Sequence, residues 1–142
     1  MQVESSKTMT PPEPDIDPAA FTASTCMVRA LARIAKFYAE ESCGQCTPCR
    51  EGTSWMEGIL EKLEHGHGTA ADVAKLEQLA GNIGGQTICA LGDAAAMPVQ
   101  SFLKKFKAEF LRHAEERRCP YGEHAWGLDQ TSRAAFVGGV RY

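Results

Sequence analysis

Three cysteines separated by two residues each form the most chemically informative motif of this 142-residue sequence. Cys43, Cys46 and Cys49 make the pattern C-x2-C-x2-C. Each gap of two residues lets neighbouring thiolates turn toward one centre. A cubane iron–sulfur cluster needs four thiolates, one for each iron corner. The spacing therefore predicts an iron–sulfur site with three clustered ligands and a fourth from elsewhere in the chain.

The fourth ligand has three candidates, Cys26, Cys89 and Cys119. The bacterial ferredoxin pattern would place the next cysteine at position 53, where this chain has Thr53. Cys89 is the best candidate, because it lies in a glycine-flanked connection that can fold back over the cluster. A continuous helix would hold Cys26 about 25 Å from Cys43. Cys119 follows the last predicted helix, which would likewise hold it far from the three clustered cysteines.

Two other kinds of chemistry remain open for the same cysteines. A structural zinc ion is one, although zinc sites usually combine two separated pairs of ligands. Disulfides or unligated thiols are the other, and they are disfavoured because MQVESSKTMT lacks the apolar segment of a secretory signal. Cys26 and Cys119, taken singly, are expected to be ordinary thiols rather than ligands.

The surroundings of the motif suit an anionic cluster. A helix that begins near the third ligand would direct its positive dipole end at the cluster. Arg50 would add a cation beside Cys49, and both effects would stabilise the reduced state and raise the potential. The alternative for Arg50 is a surface ion pair with Glu51 or Glu41.

Composition excludes several other functions. The net charge of −3 argues against binding of nucleic acid by phosphate neutralisation. No apolar run reaches the roughly 18 residues of a membrane span, so we expect no direct membrane insertion. Glycine-rich nucleotide-binding motifs and the nucleophile-elbow motif are absent from the sequence. His65 and His67 are expected to lie in a solvated turn rather than to bind metal.

Helices have to position these cysteines, and the periodicity of apolar residues predicts four of them. They are expected over 24–41, about 50–64, 69–82 and 93–118. The side chains expected to face the core are Val28, Leu31, Ile34, Ala35, Phe37 and Tyr38; Trp55, Ile59 and Leu63; Val73, Leu76, Leu79 and Ile83; and Val99, Phe102, Leu103, Phe106 and Phe110.

Capping residues mark the predicted starts of three helices. Ser24 or Thr25 is expected to cap the first helix, and Asp93 the last. Thr69 is expected to cap the third helix, with Asp72 at the spacing of a capping box.

Prolines and glycines set the other boundaries. Gly44 and Pro48 are expected to prevent a regular helix in CGQCTPC, so the second helix is predicted to begin near Arg50. Pro98 is expected within the first turns of the last helix, where its missing donor matters least.

The predicted fold is all-α. It is a small four-helix bundle with the cluster held by an inter-helix loop and a remote cysteine. We predict a flexible leader over 1–21, a helical iron–sulfur-binding domain over 22–118 and an irregular tail over 119–142. One domain of this length leaves no room for a dinucleotide-binding fold.

Two separated segments resemble a known family. They are ESCGQCTPCREG (41–52) with the following Trp55-Met56, and TICALGDAAAMPV (87–99). Both closely resemble the NADH-binding flavoprotein subunit of respiratory complex I, an NADH-quinone oxidoreductase. Related proteins are the diaphorase subunits of NAD-linked hydrogenases and formate dehydrogenases. The resemblance spans about residues 22–117, including VRALARIAKFYAEE and SFLKKFKAEF.

The resemblance implies one [4Fe–4S] cluster with ligands Cys43, Cys46, Cys49 and Cys89. It implies relay of electrons from a flavin that NADH reduces. The FMN- and NADH-binding domain and the small ubiquitin-like domain of the family are not in this sequence. FMN and NAD are therefore expected only through a missing domain or a partner chain, and this chain is not expected to oxidise NADH alone.

The resemblance also implies a location and partners. It implies a cytoplasmic position, peripheral to the inner face of the membrane. The implied partners are other peripheral-arm subunits of complex I, including the flavin domain and the [2Fe–2S] subunit. The alternatives are the equivalent domain of a hydrogenase or formate dehydrogenase diaphorase, and a non-redox module in which zinc holds the helices for docking.

Overall fold

The described part of the chain, residues 25–121 of a computed structural model, consists of α-helices joined by short connections without strands. The helices are α1 (Met27–Glu41), α2 (Thr47–Glu64), α3 (Ala70–Ile83) and α4 (Leu91–Glu116). The predicted all-α class is confirmed. The predicted leader and residues 122–142 of the predicted tail lie outside the described residues. None of the four helices is long and apolar enough to cross a membrane.

The four helices surround one core. α1 packs against α2 and α4, α3 packs against the same two helices, and α2 also contacts α4. α1 and α3 therefore occupy opposite corners of the bundle. Burial of each large apolar side chain contributes about 1.5–3 kcal/mol. The fully buried apolar side chains include Leu31, Met56, Leu60, Leu63, Leu76, Ile83, Leu103 and Phe110.

α2 begins earlier than its sequence indicated. It starts at Thr47 with Pro48 in its first turn, whereas the prediction placed its start near Arg50. The first backbone N–H groups of a helix have no partner within the helix, so the missing N–H of Pro48 costs nothing there. As a result Cys49 lies inside the helix rather than in the loop before it.

The buried face of α2 also differs from the prediction. Trp55, expected in the core, is 58% exposed, whereas the neighbouring Met56 is 1% exposed. Met56, Leu60 and Leu63 form the buried stripe, and Ile59 is partly buried against it. A rotation of about 100°, one residue along the helix, separates the predicted face from the observed one. The sequence did not distinguish the two faces, because Gly52 and Gly58 leave the apolar periodicity of α2 ambiguous.

The other predicted faces are confirmed in most positions. Val28, Leu31, Val73, Val99 and Phe110 are buried as expected. Two aromatic residues are not: Phe37 and Phe106 are exposed on the flanks of their helices.

The helix starts are only partly as predicted. Thr69 and Asp72 form a complete capping box at the start of α3. Cys26, rather than Ser24 or Thr25, caps α1, and its Sγ accepts a hydrogen bond from the N–H of Arg29.

α4 departs from the prediction at both ends. Ala90 precedes its first residue, so Asp93 is inside the first turn and is not the cap. Pro98, expected within the first turns, is the eighth residue of the helix, beyond the N-terminal positions whose N–H groups lack a partner within the helix. The helix ends at Glu116, and Arg117 adopts a left-handed conformation with φ of 53°.

Candidate iron–sulfur site

The loop between α1 and α2, together with the first turn of α2, carries the three clustered cysteines. Cys43 is exposed in the loop, Cys46 is the residue before the first turn of α2, and Cys49 is buried in that turn. Ser42 Oγ lies 3.3 Å from Cys49 Sγ, within hydrogen-bonding distance. Gly44 takes φ of 78°, a conformation that other residues rarely adopt, and so lets the chain reverse between the first two cysteines.

Arg50 holds this loop in place. Its Nη1 donates a hydrogen bond to the carbonyl oxygen of Gly44 at 2.8 Å. Its Nε pairs with the carboxylate of Glu51 at 2.9 Å, which is the surface ion pair that the sequence left as an alternative. The guanidinium therefore fixes the backbone between Cys43 and Cys46 while its charge is balanced by a neighbour.

The fourth candidate cysteine lies in the connection between α3 and α4. The backbone N–H of Ile88 donates a hydrogen bond to Cys46 Sγ at 3.4 Å. Cys89 follows directly and is exposed, and its carbonyl oxygen accepts a hydrogen bond from Thr87 Oγ1 at 2.9 Å. The contact of Ile88 places the connection that contains Cys89 against the start of α2, next to the other three cysteines.

The connection is fastened at the start of α4. Asp93 Oδ1 accepts a hydrogen bond from the N–H of Gly85 at 2.7 Å. A Cβ on Gly92 would lie 2.5 Å from Thr87 Oγ1, a distance at which atoms clash. The absence of a side chain at Gly92 therefore lets Thr87 pack onto α4 and hold Cys89 in its place.

The start of α2 places the positive end of a helix dipole beside the clustered cysteines. The first turn of α2 contains no acidic residue, and its unpaired N–H groups form the positive end of the helix dipole. Cys46, at the cap position, makes no side-chain capping bond, and its Sγ instead accepts the hydrogen bond from the N–H of Ile88.

The residues present fit an iron–sulfur cluster. Cys43, Cys46, Cys49 and Cys89 would supply the four thiolates that a cubane requires, and a backbone donor faces Cys46. Two of the four, Cys43 and Cys89, are exposed, so this end of the bundle is accessible from outside the described part of the chain.

Comparison with known proteins identifies the family. The family model described as the NADH-ubiquinone oxidoreductase-F iron-sulfur binding region matches residues 29–113, more than half of the chain. The chain belongs to this family. The resemblance stated from the sequence is confirmed, and the domain is the 4Fe–4S binding region of NADH-quinone oxidoreductase flavoprotein subunits.

Relatives in the family come from bacteria and mitochondria. The chain is 53% identical over 98 residues to an NADH-quinone oxidoreductase subunit of Rhizobium meliloti, covering 69% of this chain and 23% of that protein. It is 51% identical over 85 residues to NADH dehydrogenase [ubiquinone] flavoprotein 1, mitochondrial, of Dictyostelium discoideum, covering 60% and 18%. The chain thus spans about a quarter or less of the family members that it matches.

A solved structure of a related enzyme has the same fold. A chain of an NAD+-reducing [NiFe]-hydrogenase in the H2-reduced state matches with a TM-score of 0.60 and 29% identity. The match covers 81% of this chain and 19% of the hydrogenase chain.

A second group of cysteines was missed by sequence reasoning. Cys26 and Cys119, each expected to be an isolated thiol, come together with His113 where α1 starts and α4 ends, remote from Cys43. Burial raises the pKa of the Cys26 thiol. The available signal was His113 itself, which follows Phe110 by three residues on the apolar face of α4.

A buried ion pair lies beside this second group. The guanidinium of Arg29 binds Glu64 Oε1, and the Glu64 side chain is almost fully buried. Glu64 Oε2 lies 3.9 Å from Cys26 Sγ. α2 is thereby joined to the start of α1 by polar contacts as well as by the apolar core.

Proposed function

We propose that this chain relays electrons through one [4Fe–4S] cluster held by Cys43, Cys46, Cys49 and Cys89. When bound, the cluster supplies one-electron redox chemistry between a flavin donor and a further electron carrier. The hydrogen bond from the Ile88 N–H to Cys46 Sγ carries the proposal, because it joins the two segments that supply the four thiolates.

The protein's own groups are expected to raise the reduction potential of this site. The N–H of Ile88 and the positive end of α2 stabilise negative charge on the sulfurs, which favours the reduced state. Arg50 contributes mainly by bracing the Gly44 carbonyl, since Glu51 balances its charge. The expected effect is a higher potential than the same thiolates would give without these donors.

The electron donor and acceptor are proposed from the relatives. The matched proteins include NADH-quinone oxidoreductase subunits, and a related structure is an NAD+-reducing hydrogenase. We infer that FMN and NADH reach this chain through a further domain or a partner chain. The other partners would be peripheral-arm subunits, including the [2Fe–2S] subunit, on the cytoplasmic side of the membrane.

The host complex favoured by the comparisons is of the complex I type. The chain is about half identical to NADH-quinone oxidoreductase subunits, against 29% for the hydrogenase chain. A hydrogenase or formate dehydrogenase diaphorase is the second candidate, because the hydrogenase shares the fold over 81% of this chain.

The proposal is tested on the full chain reconstituted anaerobically with iron and sulfide. We expect four irons and four sulfides per chain, broad visible absorption and a paramagnetic signal after reduction by dithionite. NADH alone should leave the protein oxidised, whereas NADH together with a flavin-bearing NADH dehydrogenase fragment should reduce it. Protein that binds zinc but neither iron nor sulfide would overturn the proposal.

A further inference from the structure

Three potential metal ligands meet at the end of the bundle opposite the iron–sulfur site. One donor atom each from Cys26, His113 and Cys119 lies within 4.8 Å of the other two. Cys26 Sγ and His113 Nε2 are 3.2 Å apart. Within residues 25–121, these three side chains are the group of His, Cys, Asp or Glu donors that lie close enough together to hold one metal ion.

The separation of the donors suits a tetrahedral metal ion. Zinc binds thiolate sulfur at about 2.3 Å and imidazole nitrogen at about 2.0 Å, so tetrahedral ligands stand roughly 3.5–3.8 Å apart. Cys26 Sγ and His113 Nε2 are 3.2 Å apart, and no two of the three donor atoms are more than 4.8 Å apart, so small side-chain movements would bring them to that spacing. Two cysteines and a histidine also select zinc over magnesium or calcium, which are bound by oxygen ligands.

The imidazole of His113 is oriented for coordination. Its Nδ1 lies 2.9 Å from the carbonyl oxygen of Glu109, and a carbonyl only accepts, so Nδ1 carries the proton. Nε2 therefore offers its lone pair toward Cys26 Sγ. Metal-binding histidines are commonly fixed in this way by a hydrogen bond from the other ring nitrogen.

Burial distinguishes this group from chance surface neighbours. His113 is fully buried at 0% exposure, Cys26 is buried at 3%, and Cys119 is partly buried. The three side chains come from the cap of α1, the last turns of α4 and the chain beyond α4. The polar atoms of Cys26 and His113 are held in place by hydrogen bonds, so the donor atoms face one another in a fixed arrangement.

We propose that Cys26, His113 and Cys119 bind one zinc ion that fastens the chain after α4 to the start of α1. Binding displaces the two thiol protons into solvent, and two thiolates with one neutral imidazole balance the charge of Zn²⁺. Three protein ligands leave one tetrahedral position. Glu64 Oε2, 3.9 Å from Cys26 Sγ, is the carboxylate oxygen at hand for it.

The test measures iron and zinc separately in the full chain, purified anaerobically without an affinity tag from cells supplied with both metals. Elemental analysis by mass spectrometry should give one zinc and four irons per chain. Cys119→Ser should lower bound zinc at least about tenfold and leave iron unchanged. Cys46→Ser should do the reverse, lowering iron and leaving the zinc in place.

Two further measurements keep the outcome decisive. His67→Asn changes an exposed histidine of the α2–α3 turn, and it should leave both metals unchanged. Zinc-edge X-ray absorption should show two sulfur ligands and at least one imidazole nitrogen. Retained iron and an unchanged far-UV circular dichroism spectrum in Cys119→Ser separate loss of the metal from loss of the fold.

Three results would overturn the proposal. The first is protein without zinc whose intact mass shows a Cys26–Cys119 disulfide. The second is zinc that disappears with Cys46→Ser and survives Cys119→Ser, which would place the ion among the iron–sulfur ligands. The third is fully iron-loaded protein with free thiols at both positions and no zinc after exposure to excess Zn²⁺.

Discussion

The backbone N–H of Ile88 and Sγ of Cys46 form a hydrogen bond of 3.4 Å across 42 residues of sequence. Ile88 itself is 88% exposed, so its position is set by this backbone contact rather than by burial of its side chain. Cys89, the next residue, is thereby held against the loop between α1 and α2. The function proposed for the chain depends on this relationship.

Replacement of the fourth cysteine tests the ligand assignment. We expect Cys89→Ala to lower the iron content below four per chain, because a cubane needs one thiolate for each iron corner. Iron and acid-labile sulfide per chain are the measurement. Cys119→Ala is the matched control, since Cys119 lies beyond the other end of α4, and it should retain the four irons. Equal iron content in both variants would contradict the assignment of Cys89.

Gly92 is expected to be required for the geometry of the Cys89 connection. A Cβ at this position would lie within 3.0 Å of the Oγ1, Cγ2 and Cβ atoms of Thr87, so Thr87 has to move away from α4. Gly92→Ala should destabilise the protein by about 1–3 kcal/mol and speed bleaching of the visible absorption by an iron chelator.

Gly81→Ala is the control for that substitution. Gly81 is an exposed residue of α3, and a Cβ there meets nothing within 4 Å. The change should stabilise the helix by about 0.5–1 kcal/mol and leave the bleaching rate unchanged. If Gly92→Ala behaved like Gly81→Ala, the close packing of Thr87 on α4 would not be needed for cluster retention.

The buried face of α2 is tested by two adjacent residues. Met56→Ala removes a side chain that is 1% exposed, and it should cost about 2–5 kcal/mol. For a domain of this size, that lowers Tm by roughly 10 °C or more. Trp55→Ala, at an exposed position on the same helix, should cost less than about 1 kcal/mol. Thermal unfolding followed by circular dichroism gives both values, and a larger loss for Trp55→Ala would restore the face predicted from the sequence.

The buried pair of Arg29 and Glu64 should be costly to break from one side. Arg29→Met leaves the Glu64 carboxylate buried without its cation, and it should destabilise the protein by about 3 kcal/mol. The double variant Arg29→Met/Glu64→Gln should recover part of this loss. Lys107→Met is the control, because Lys107 and Glu77 form an exposed pair that is worth at most about 1 kcal/mol.

Equal Tm values for Arg29→Met and Lys107→Met would mean that burial does not strengthen the Arg29–Glu64 ion pair. A double variant no more stable than Arg29→Met would show that the guanidinium acts by packing rather than by charge. Thermal unfolding of the three proteins under the same anaerobic conditions distinguishes these outcomes.

The sequence alone determined the features that depend on local spacing. Apolar residues at three- and four-residue steps predicted four helices, since the helical period of 3.6 is built into the chain. Thr69 and Asp72 predicted their capping box, because both partners lie within one turn. Cys43, Cys46 and Cys49 could be grouped for the same reason, and the motifs around them predicted the family that the comparisons confirm.

Where the sequence was ambiguous, the packing of the helices decided which side chains of α2 are buried and where the helix begins. The side chain of Trp55 has the larger apolar surface, but Met56 is the one that faces the other helices. Pro48 predicted a break in the helix, although it fits the first turn of α2. Both errors concern the rotation or end of a helix, which depends on neighbours that a single segment does not contain.

Only the tertiary structure decided which distant residues meet. Ile88 reaches Cys46 because α3 and α4 return the chain to the start of α2. Cys26, Glu64, His113 and Cys119 are spread over almost the whole described chain, and no spacing rule connects them. Sequence patterns report contacts along one helix, whereas contacts between helices follow from the packing of all four around a common core.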